Sequence, residues 1–161
     1  MSPLPDRILI FGNSGAGKST LAQTLAGIHE LAHLDLDTLA WAAAAPPTRR
    51  ALAISHIELE KFTAANEGWV IEGAYADLLS LVLDECSELI FLNPGVEVCI
   101  RNCRARPWEP HKYPDKAAQD RALAMLLDWV RAYETRDDVY SLSGHRWLFD
   151  WFSGVKREFT A

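Results

Sequence analysis

The sequence has few cysteines and no long apolar run, and each shortage excludes a class of protein. Its 161 residues include three cysteines, Cys86, Cys99 and Cys103. This odd number, without a Cys-x-x-Cys spacing, predicts neither a disulfide framework nor a zinc site. No apolar run approaches the ~18 residues that span a bilayer, and the N-terminus lacks a basic, apolar leader. We therefore expect a cytoplasmic protein with reduced thiols and no membrane partner.

Positive charge is also scarce. The chain has 16 Lys and Arg against 22 Asp and Glu, which gives a net charge of −6. Such a chain is not attracted as a whole to nucleic acid, so we do not expect a nucleic-acid partner. There is no internal repeat, and the length leaves little room for a second hydrophobic core. We expect one domain over residues 1–161, as a monomer or a homodimer.

The most specific feature that is present is the segment Gly-Asn-Ser-Gly-Ala-Gly-Lys-Ser at positions 12–19. It matches the phosphate-binding-loop pattern and lies between an apolar run at 7–11 and a stretch of helical spacing. Backbone N–H groups of such a loop surround the phosphates of a nucleotide. Lys18 is expected on the β- and γ-phosphates and Ser19 on magnesium. The predicted nucleotide-binding residues are Gly12, Asn13, Ser14, Gly15, Ala16, Gly17, Lys18, Ser19 and Thr20.

Apolar runs and helical patterns alternate along the rest of the chain. This order predicts an α/β protein with a parallel sheet covered on both faces, whose ligands bind at the carboxyl ends of the strands. Cys99 and Cys103 share the apolar face of one helix and are expected in the core. The predicted strands are 7–11, 32–36, 69–71, 88–92 and 139–142, and the predicted helices include 48–66, one starting at 96, 116–134 and one around 147–152.

Carboxylates follow two of the predicted strands. Asp35 and Asp37 are two residues apart in an extended segment, so their side chains point the same way. Beside a magnesium nucleotide, we assign Asp35 to the metal shell and Asp37 as the base or acceptor ligand. Alternatively, one of them caps the helix beginning near Thr38. Glu72, at the end of the third strand, competes with Asp35 as the metal-shell carboxylate.

The segment that follows Glu72 supplies two candidates for the acceptor site, Gly73 and Tyr75. Gly73 can let a substrate approach the backbone, or it can simply form the turn after the strand. Tyr75 can line the acceptor pocket, or it can belong to the core. Ser143 and Gly144 follow the fifth predicted strand, and a turn there is expected beside the phosphate loop and the nucleotide base.

Two breaks interrupt the helical patterns, one at 42–47 and one at 106–114. The second has three prolines and is typical of an exposed segment over a site. Arg101, Arg104 and Arg106 precede it or begin it, and arginine is suited to the charge that develops on a transferring phosphoryl group. We predict that at least one of these arginines makes a catalytic contact from a lid.

The phosphate loop, the Asp-x-Asp at 35–37, the Glu-Gly-x-Tyr at 72–75 and the arginine-bearing lid together resemble the small P-loop kinases, which include adenylate, shikimate and gluconate kinases. The chain is most similar to the adenylate-kinase-related proteins labelled DNA-topology-modulation proteins. The resemblance implies a three-layer fold with strand order 2-3-1-4-5, ATP with Mg²⁺, and a short lid at about 104–114. It likens Asp35 and Asp37 to the paired aspartates of shikimate kinase.

One departure from this group concerns the acceptor. Nucleoside-monophosphate kinases hold the acceptor phosphate with arginines, but segments 35–48 and 73–92 contain none. Arg49 and Arg50 lie nearby, at a position typical of an exposed helix end. We predict a phosphotransferase that moves the γ-phosphate of ATP to a small hydroxyl compound. The alternatives are a nucleoside-monophosphate kinase and a regulatory ATPase that acts with a macromolecular partner.

Overall fold

The computed structural model describes residues 6–42 and 48–161. The predicted break at 42–47 lies, apart from Ala42, outside these residues. Two 3₁₀ turns at 83–85 and 132–134 accompany the regular elements. The strands and helices, in chain order, are β1 (Arg7–Gly12), α1 (Lys18–His29), β2 (Ala32–Asp35), α2 (Asp37–Ala40), β3 (Trp41–Ala42), β4 (Thr48–Arg49), α3 (Leu52–Ala65), β5 (Trp69–Gly73), α4 (Ala76–Ser80), β6 (Glu88–Leu92), α5 (Val96–Ala105), α6 (Lys116–Arg131), α7 (Leu142–Trp151) and β7 (Val155–Phe159).

Five strands form one parallel sheet in the order β2-β5-β1-β6-β7. Counted along the chain without the short β3 and β4, this order is 2-3-1-4-5, and the predicted fold class is confirmed. The central strand β1 is apolar at consecutive positions because both faces of the sheet are covered. A small antiparallel hairpin of β3 and β4, absent from the sequence predictions, stands apart from the sheet.

Alternate residues of β1 enter two different cores. Leu9 and Phe11 pack on one face with Trp69 of β5 and Leu148 of α7. Ile8 and Ile10 pack on the other face against α1. This division follows from the two-residue repeat of side-chain direction in a strand. The sheet is therefore enclosed by helices on both sides, and Asp35 and Glu72 lie at the carboxyl ends of β2 and β5.

A third apolar cluster joins α5 to α6. Cys99 and Cys103 are buried there with Leu127 and Val130, as the helical spacing predicts. Burial raises the pKa of the Cys99 thiol to about 11, so this thiol stays protonated at neutral pH. The cluster holds α5 against α6, and so holds the two ends of the segment that links them.

The fifth predicted strand, at 139–142, is wrong. Those residues form a turn and the start of α7, because the Ser141 hydroxyl caps that helix by accepting a hydrogen bond from the Gly144 amide at 3.3 Å. The fifth strand of the sheet is β7, which lies between β6 and solvent. The predicted helix at 48–66 begins only at Leu52, since Thr48 belongs to β4.

Candidate active site

The phosphate loop connects the end of β1 to the start of α1. Gly15 and Gly17 have φ angles of +83° and +96°, which residues with a Cβ rarely adopt. A Cβ on Gly15 would lie 2.3 Å from the Cys99 carbonyl oxygen. The Asn102 amide donates to the Gly15 carbonyl at 2.8 Å. Helix α5 therefore holds the loop against the sheet, and the shape of the loop requires these glycines.

Lys18 lies in the first turn of α1, beside the loop. Its Nζ donates to the carbonyl of Asn13 at 2.7 Å, and the Asn13 amide donates to Val130 O at 3.2 Å. Burial lowers the pKa of Lys18, although the carboxylates of Glu72 and Asp37 oppose this change. The lysine charge is thus held over the loop and faces two acidic side chains.

Ser19 and Glu72 meet at the ends of α1 and β5. The Ser19 hydroxyl donates to Glu72 Oε2 at 2.7 Å, and His33 Nε2 lies 3.1 Å from the same oxygen. Glu72 is 2% exposed. A hydroxyl and a buried carboxylate beside a phosphate loop are the oxygen ligands that Mg²⁺ prefers, so these residues fit that ion.

Asp35 lies directly opposite Glu72, on the neighbouring strand β2. Its Oδ1 accepts the Asp37 amide at 2.9 Å, which is the helix-starting role that the sequence left open. Burial, together with Asp37 and Glu72, raises the pKa of Asp35 to about 6. Of the two competing carboxylates, Glu72 is the one in contact with Ser19.

Asp37 is surrounded by hydrogen-bond donors. The Tyr75 hydroxyl donates to Asp37 Oδ1, and Lys112 Nζ donates to Asp37 Oδ2 at 2.9 Å. The Trp41 indole donates to the Tyr75 oxygen at 2.9 Å. Burial opposes ionisation of Asp37, but Lys112 and Tyr75 outweigh it and lower the pKa of this carboxyl. The structure thus brings Asp37 and Tyr75 together. Gly73 lies at the end of β5 close to Leu36, and a Cβ added to it would come within 2.9 Å of Leu36 Cβ.

Arg49 is close to this group, contrary to the sequence expectation of an exposed helix end. Its guanidinium carbon lies 4.9 Å from the centre of the Tyr75 ring and 5.6 Å from that of Tyr140. One nitrogen donates to the Tyr140 hydroxyl and another to Asp77 Oδ2 at 3.0 Å. Sequence reasoning missed Arg49, Asp77 and Tyr140 as neighbours of Tyr75. The sequence offered one indication that Arg49 could lie near the acceptor site: segments 35–48 and 73–92 contain no arginine.

The predicted lid, at about 104–114, lies largely in the segment 106–115 that links α5 to α6. Arg106, at its start, lies 3.5 Å from the Ser14 hydroxyl, while Lys112 reaches Asp37. Gln119 of α6 binds the lid at both of its polar atoms, by donating to Pro107 O at 3.0 Å and accepting from the Glu109 amide at 2.8 Å. Within 6–42 and 48–161, no hydrogen bond or ion pair connects the exposed Arg101 and Arg104 to the phosphate loop.

Ser143 and Gly144 lie in the first turn of α7. The preceding turn contacts the segment after β5, where the Ala76 amide donates to Val139 O at 3.0 Å. The reason for expecting these residues beside the nucleotide base was a strand that the structure lacks, so this prediction loses its basis. Ser14, Ala16 and Thr20 keep their predicted positions in the loop and the first turn of α1.

Comparison with solved structures shows a known fold. The chain is similar to a shikimate kinase from Bacteroides thetaiotaomicron, with a TM-score of 0.55 and 17% identity over 97% of this chain and 86% of that one. It is also similar to a gluconokinase from Sinorhizobium meliloti 1021, with a TM-score of 0.54 and 14% identity over 98% and 84%. No family model and no curated protein matches the sequence. In the described part of the chain, no helix is long and apolar enough to span a membrane.

Proposed function

We propose that this protein is a Mg²⁺-dependent kinase that transfers the γ-phosphate of ATP to a hydroxyl group of a small molecule. The observation that carries the proposal is the position of Asp37. It lies with Lys18 and Glu72 at one edge of the sheet, and a lid residue, Lys112, reaches its carboxylate. A carboxylate beside a phosphate loop is what a hydroxyl acceptor requires, because the hydroxyl proton must leave as the O–P bond forms.

Each residue has a chemical role in this reaction. Lys18 and the loop amides bind the phosphates, and Ser19 and Glu72 hold Mg²⁺, which neutralises phosphate charge when bound. The acceptor oxygen attacks the γ-phosphorus, its proton passes to Asp37, and the bond from that phosphorus to the β-phosphate oxygen breaks. Arg106 is our candidate among the three arginines for the charge on the transferred group, because it lies nearest the loop.

The structural neighbours support a hydroxyl acceptor, since one is named as a shikimate kinase and the other as a gluconokinase. A nucleoside-monophosphate acceptor is less well supported, because Arg49, the arginine beside Tyr75, is already bound to Asp77. A regulatory ATPase would be stimulated by a macromolecule instead of a small compound. Kinship with the DNA-topology-modulation proteins, the cytoplasmic location and the oligomeric state stay predictions.

The test is ADP release from Mg·ATP, alone and with a panel of sugars, polyols, nucleosides and nucleotides. We expect strong stimulation by one class of hydroxyl compound. Lys18→Met should lower the stimulated rate by about 10²-fold or more, because the charge on the β- and γ-phosphates is lost. Lys61→Met is the matched control, since Lys61 is exposed and pairs only with Glu58 on the surface of α3.

Stimulation only by a protein or a nucleic acid would contradict the proposal in favour of the regulatory ATPase. Full stimulated turnover by Lys18→Met would contradict the assigned mechanism.

A further inference from the structure

The residues around Asp37 on the acceptor side form a wall whose charges are already paired. We define this acceptor wall as Trp41, Arg49, Tyr75, Asp77, Lys112 and Tyr140. Its members are linked in one chain of contacts, from Lys112 through Asp37, Tyr75 and Arg49 to Asp77. The inference below rests on the proposed function and concerns the compound that this wall can accept.

The two cations of the acceptor wall each have a carboxylate partner. Lys112 Nζ lies 2.9 Å from Asp37 Oδ2 and 3.9 Å from Glu109 Oε2. Arg49 is 3.0 Å from Asp77 Oδ2 and is further fixed between the rings of Tyr75 and Tyr140. An anionic acceptor would have to separate one of these pairs and leave a partly buried carboxylate without its cation, which costs free energy.

Carboxylates outnumber the cations around Asp37 when Lys18 is counted with Lys112 and Arg49. Asp37 and Glu72 both raise the pKa of Asp35, and Asp77 adds a fourth carboxylate. The segments 1–5 and 43–47 contain no charged side chain, so they do not alter this balance. The field on the acceptor side therefore repels an anion.

Arg50 is the next cation along the chain. Its guanidinium donates to the Trp41 main-chain carbonyl at 3.3 Å, and its backbone amide donates to Ala40 O at 2.8 Å. This arginine is thus used to join the end of the β3–β4 hairpin to α2. It belongs to the support of Trp41, whose indole reaches Tyr75.

The Trp41 ring gives the wall an apolar surface. Trp41 is 39% exposed although its indole nitrogen is bound to the Tyr75 hydroxyl. A sugar or polyol has an apolar face of C–H groups and an edge of hydroxyls, and an aromatic ring beside a carboxylate is complementary to both. Each oxygen of Asp37 uses one donor, so lone pairs are left for an acceptor hydroxyl.

We propose that the acceptor is a polyhydroxylated compound without an anionic group, a sugar or a polyol, that donates a hydroxyl to Asp37 and packs on Trp41. Recognition comes from hydroxyl hydrogen bonds and ring contact. The paired cations Arg49 and Lys112 hold the wall together and disfavour carboxylates and phosphates. In this respect the proposed acceptor differs from shikimate and gluconate, the carboxylates in the names of the two structural neighbours.

The experiment uses pairs of compounds that differ at one terminal group, CH₂OH in one and carboxylate in the other, such as glucitol with gluconate and ribitol with ribonate. Turnover is measured as acceptor-stimulated ADP release from Mg·ATP, and binding as the shift in unfolding temperature with a non-hydrolysable ATP analogue present. We expect the neutral member of a productive pair to have a kcat/KM at least tenfold higher than the acid. It should also give the larger thermal shift.

Preference for the acid in either measurement overturns the inference while leaving the kinase function standing. Binding of neither member of any pair also overturns it. Stimulation by nucleosides or nucleotides alone would overturn the sugar or polyol class, again without contradicting a kinase. ADP release that no small compound stimulates contradicts the proposed function itself.

A charge variant tests the cause of the preference. Asp77→Asn keeps the shape of the side chain and its hydrogen bond to the Leu78 amide, but it frees the charge of Arg49. We expect the ratio of neutral to acid kcat/KM to fall by about fivefold to tenfold. Asp84→Asn, in the exposed 3₁₀ turn, is the matched control and should leave the ratio unchanged. An unchanged ratio in Asp77→Asn would overturn the role given to the Arg49–Asp77 pair.

Discussion

At the residue scale, the site depends on how Asp37 is held. A carboxylate that receives the hydroxyl proton must be ionised and correctly oriented before the acceptor binds. Tyr75 fixes one oxygen and Lys112 the other, and together they outweigh the burial that would otherwise keep the acid protonated. The sequence predicted Asp37 from its place after a strand and left Tyr75 open between the acceptor pocket and the core. Tyr75 is in fact 4% exposed and packs in the main core, with only its hydroxyl turned to Asp37. The pairing of Lys112 with Asp37 could not be predicted, because a contact between residues 75 positions apart has no local signal in the sequence.

Lys112→Met tests this arrangement. Burial opposes the charge of Lys112, but Asp37 outweighs burial and raises the pKa of the lysine, so the ion pair is intact at neutral pH. Without it, the pKa of Asp37 should rise and the carboxylate should lose its orientation. We expect the acceptor-stimulated kcat to fall by roughly 10²-fold, with the KM for ATP nearly unchanged.

Lys116→Met is the matched control for this prediction, because Lys116 is exposed at the start of α6 and pairs with Asp120. Lys112→Arg should recover part of the activity, since it restores the charge. A normal kcat in Lys112→Met would remove Lys112 from the mechanism.

At the scale of elements, four of the five sheet strands could be predicted. Three of them, β1, β5 and β6, are apolar runs buried on both faces, and β2 is a short half-buried strand at the other edge. The fifth could not, because β7 is an edge strand with the sequence Val-Lys-Arg-Glu-Phe and is largely exposed. Its polar residues hide the pattern that a buried strand shows. The segment 139–142 has the apolar residues of a strand, but the Ser141 cap starts a helix there.

Helix α7, which begins where a strand was predicted, supports the site through His145. His145 Nε2 lies 2.7 Å from the Ala74 carbonyl, which only an N–H can satisfy, so Nδ1 accepts from the Tyr133 hydroxyl at 2.7 Å. The ring is fully buried and in contact with Phe11. It joins α7 to the backbone between Gly73 and Tyr75, so this neutral tautomer fixes the segment that carries Tyr75.

A pH dependence of stability follows from His145. Burial lowers its pKa to about 4, below the usual value of 6.5, so the folded protein binds this proton less well than the unfolded chain. The contribution to the free energy of unfolding is complete above pH 6.5 and is lost as the pH falls toward 4. Its size is about 3 kcal/mol. Denaturant unfolding between pH 7.5 and 4.5 measures it.

The comparison that isolates His145 is the difference in this pH slope between the wild type and His145→Gln, which has no titrating ring. His29→Gln, which changes an exposed histidine, should keep the wild-type slope. Equal slopes in the wild type and His145→Gln would show that this histidine is not kept neutral by folding.

At the scale of the whole molecule, a chain with a net charge of −6 can bind an anionic nucleotide only if its positive and negative groups are separated in space. In the proposed reaction Lys18, the loop amides and Arg106 would bind the phosphates, whereas Asp35, Asp37 and Asp77 lie on the other side, where the acceptor would bind. Net charge in the sequence could not reveal this division, because it depends on which strand ends are adjacent. The sheet order creates it by placing β5 between β1 and β2.

The same strand order places β7 at the edge of the sheet, where it covers the edge of β6. β7 pairs with β6 along its whole length, from Glu88 opposite Val155 to Leu92 opposite Phe159. Glu158 accepts two hydrogen bonds from Arg146 at 2.7 and 2.8 Å and one from Asn93 at 3.1 Å. These contacts tie α7 and the end of β6 to the edge strand.

A chain ending at Phe152 should therefore lose about 10 °C or more in Tm, or fail to fold, because the edge of β6 and the Arg146 charge are left unpaired. Removal of only Thr160 and Ala161, beyond β7, should shift Tm by less than about 2 °C and serves as the control. Glu158→Gln retains the strand and removes only the charge pair, so its Tm should fall by a few degrees. If the shortened chain kept the full Tm, β7 would contribute nothing to the stability of the fold.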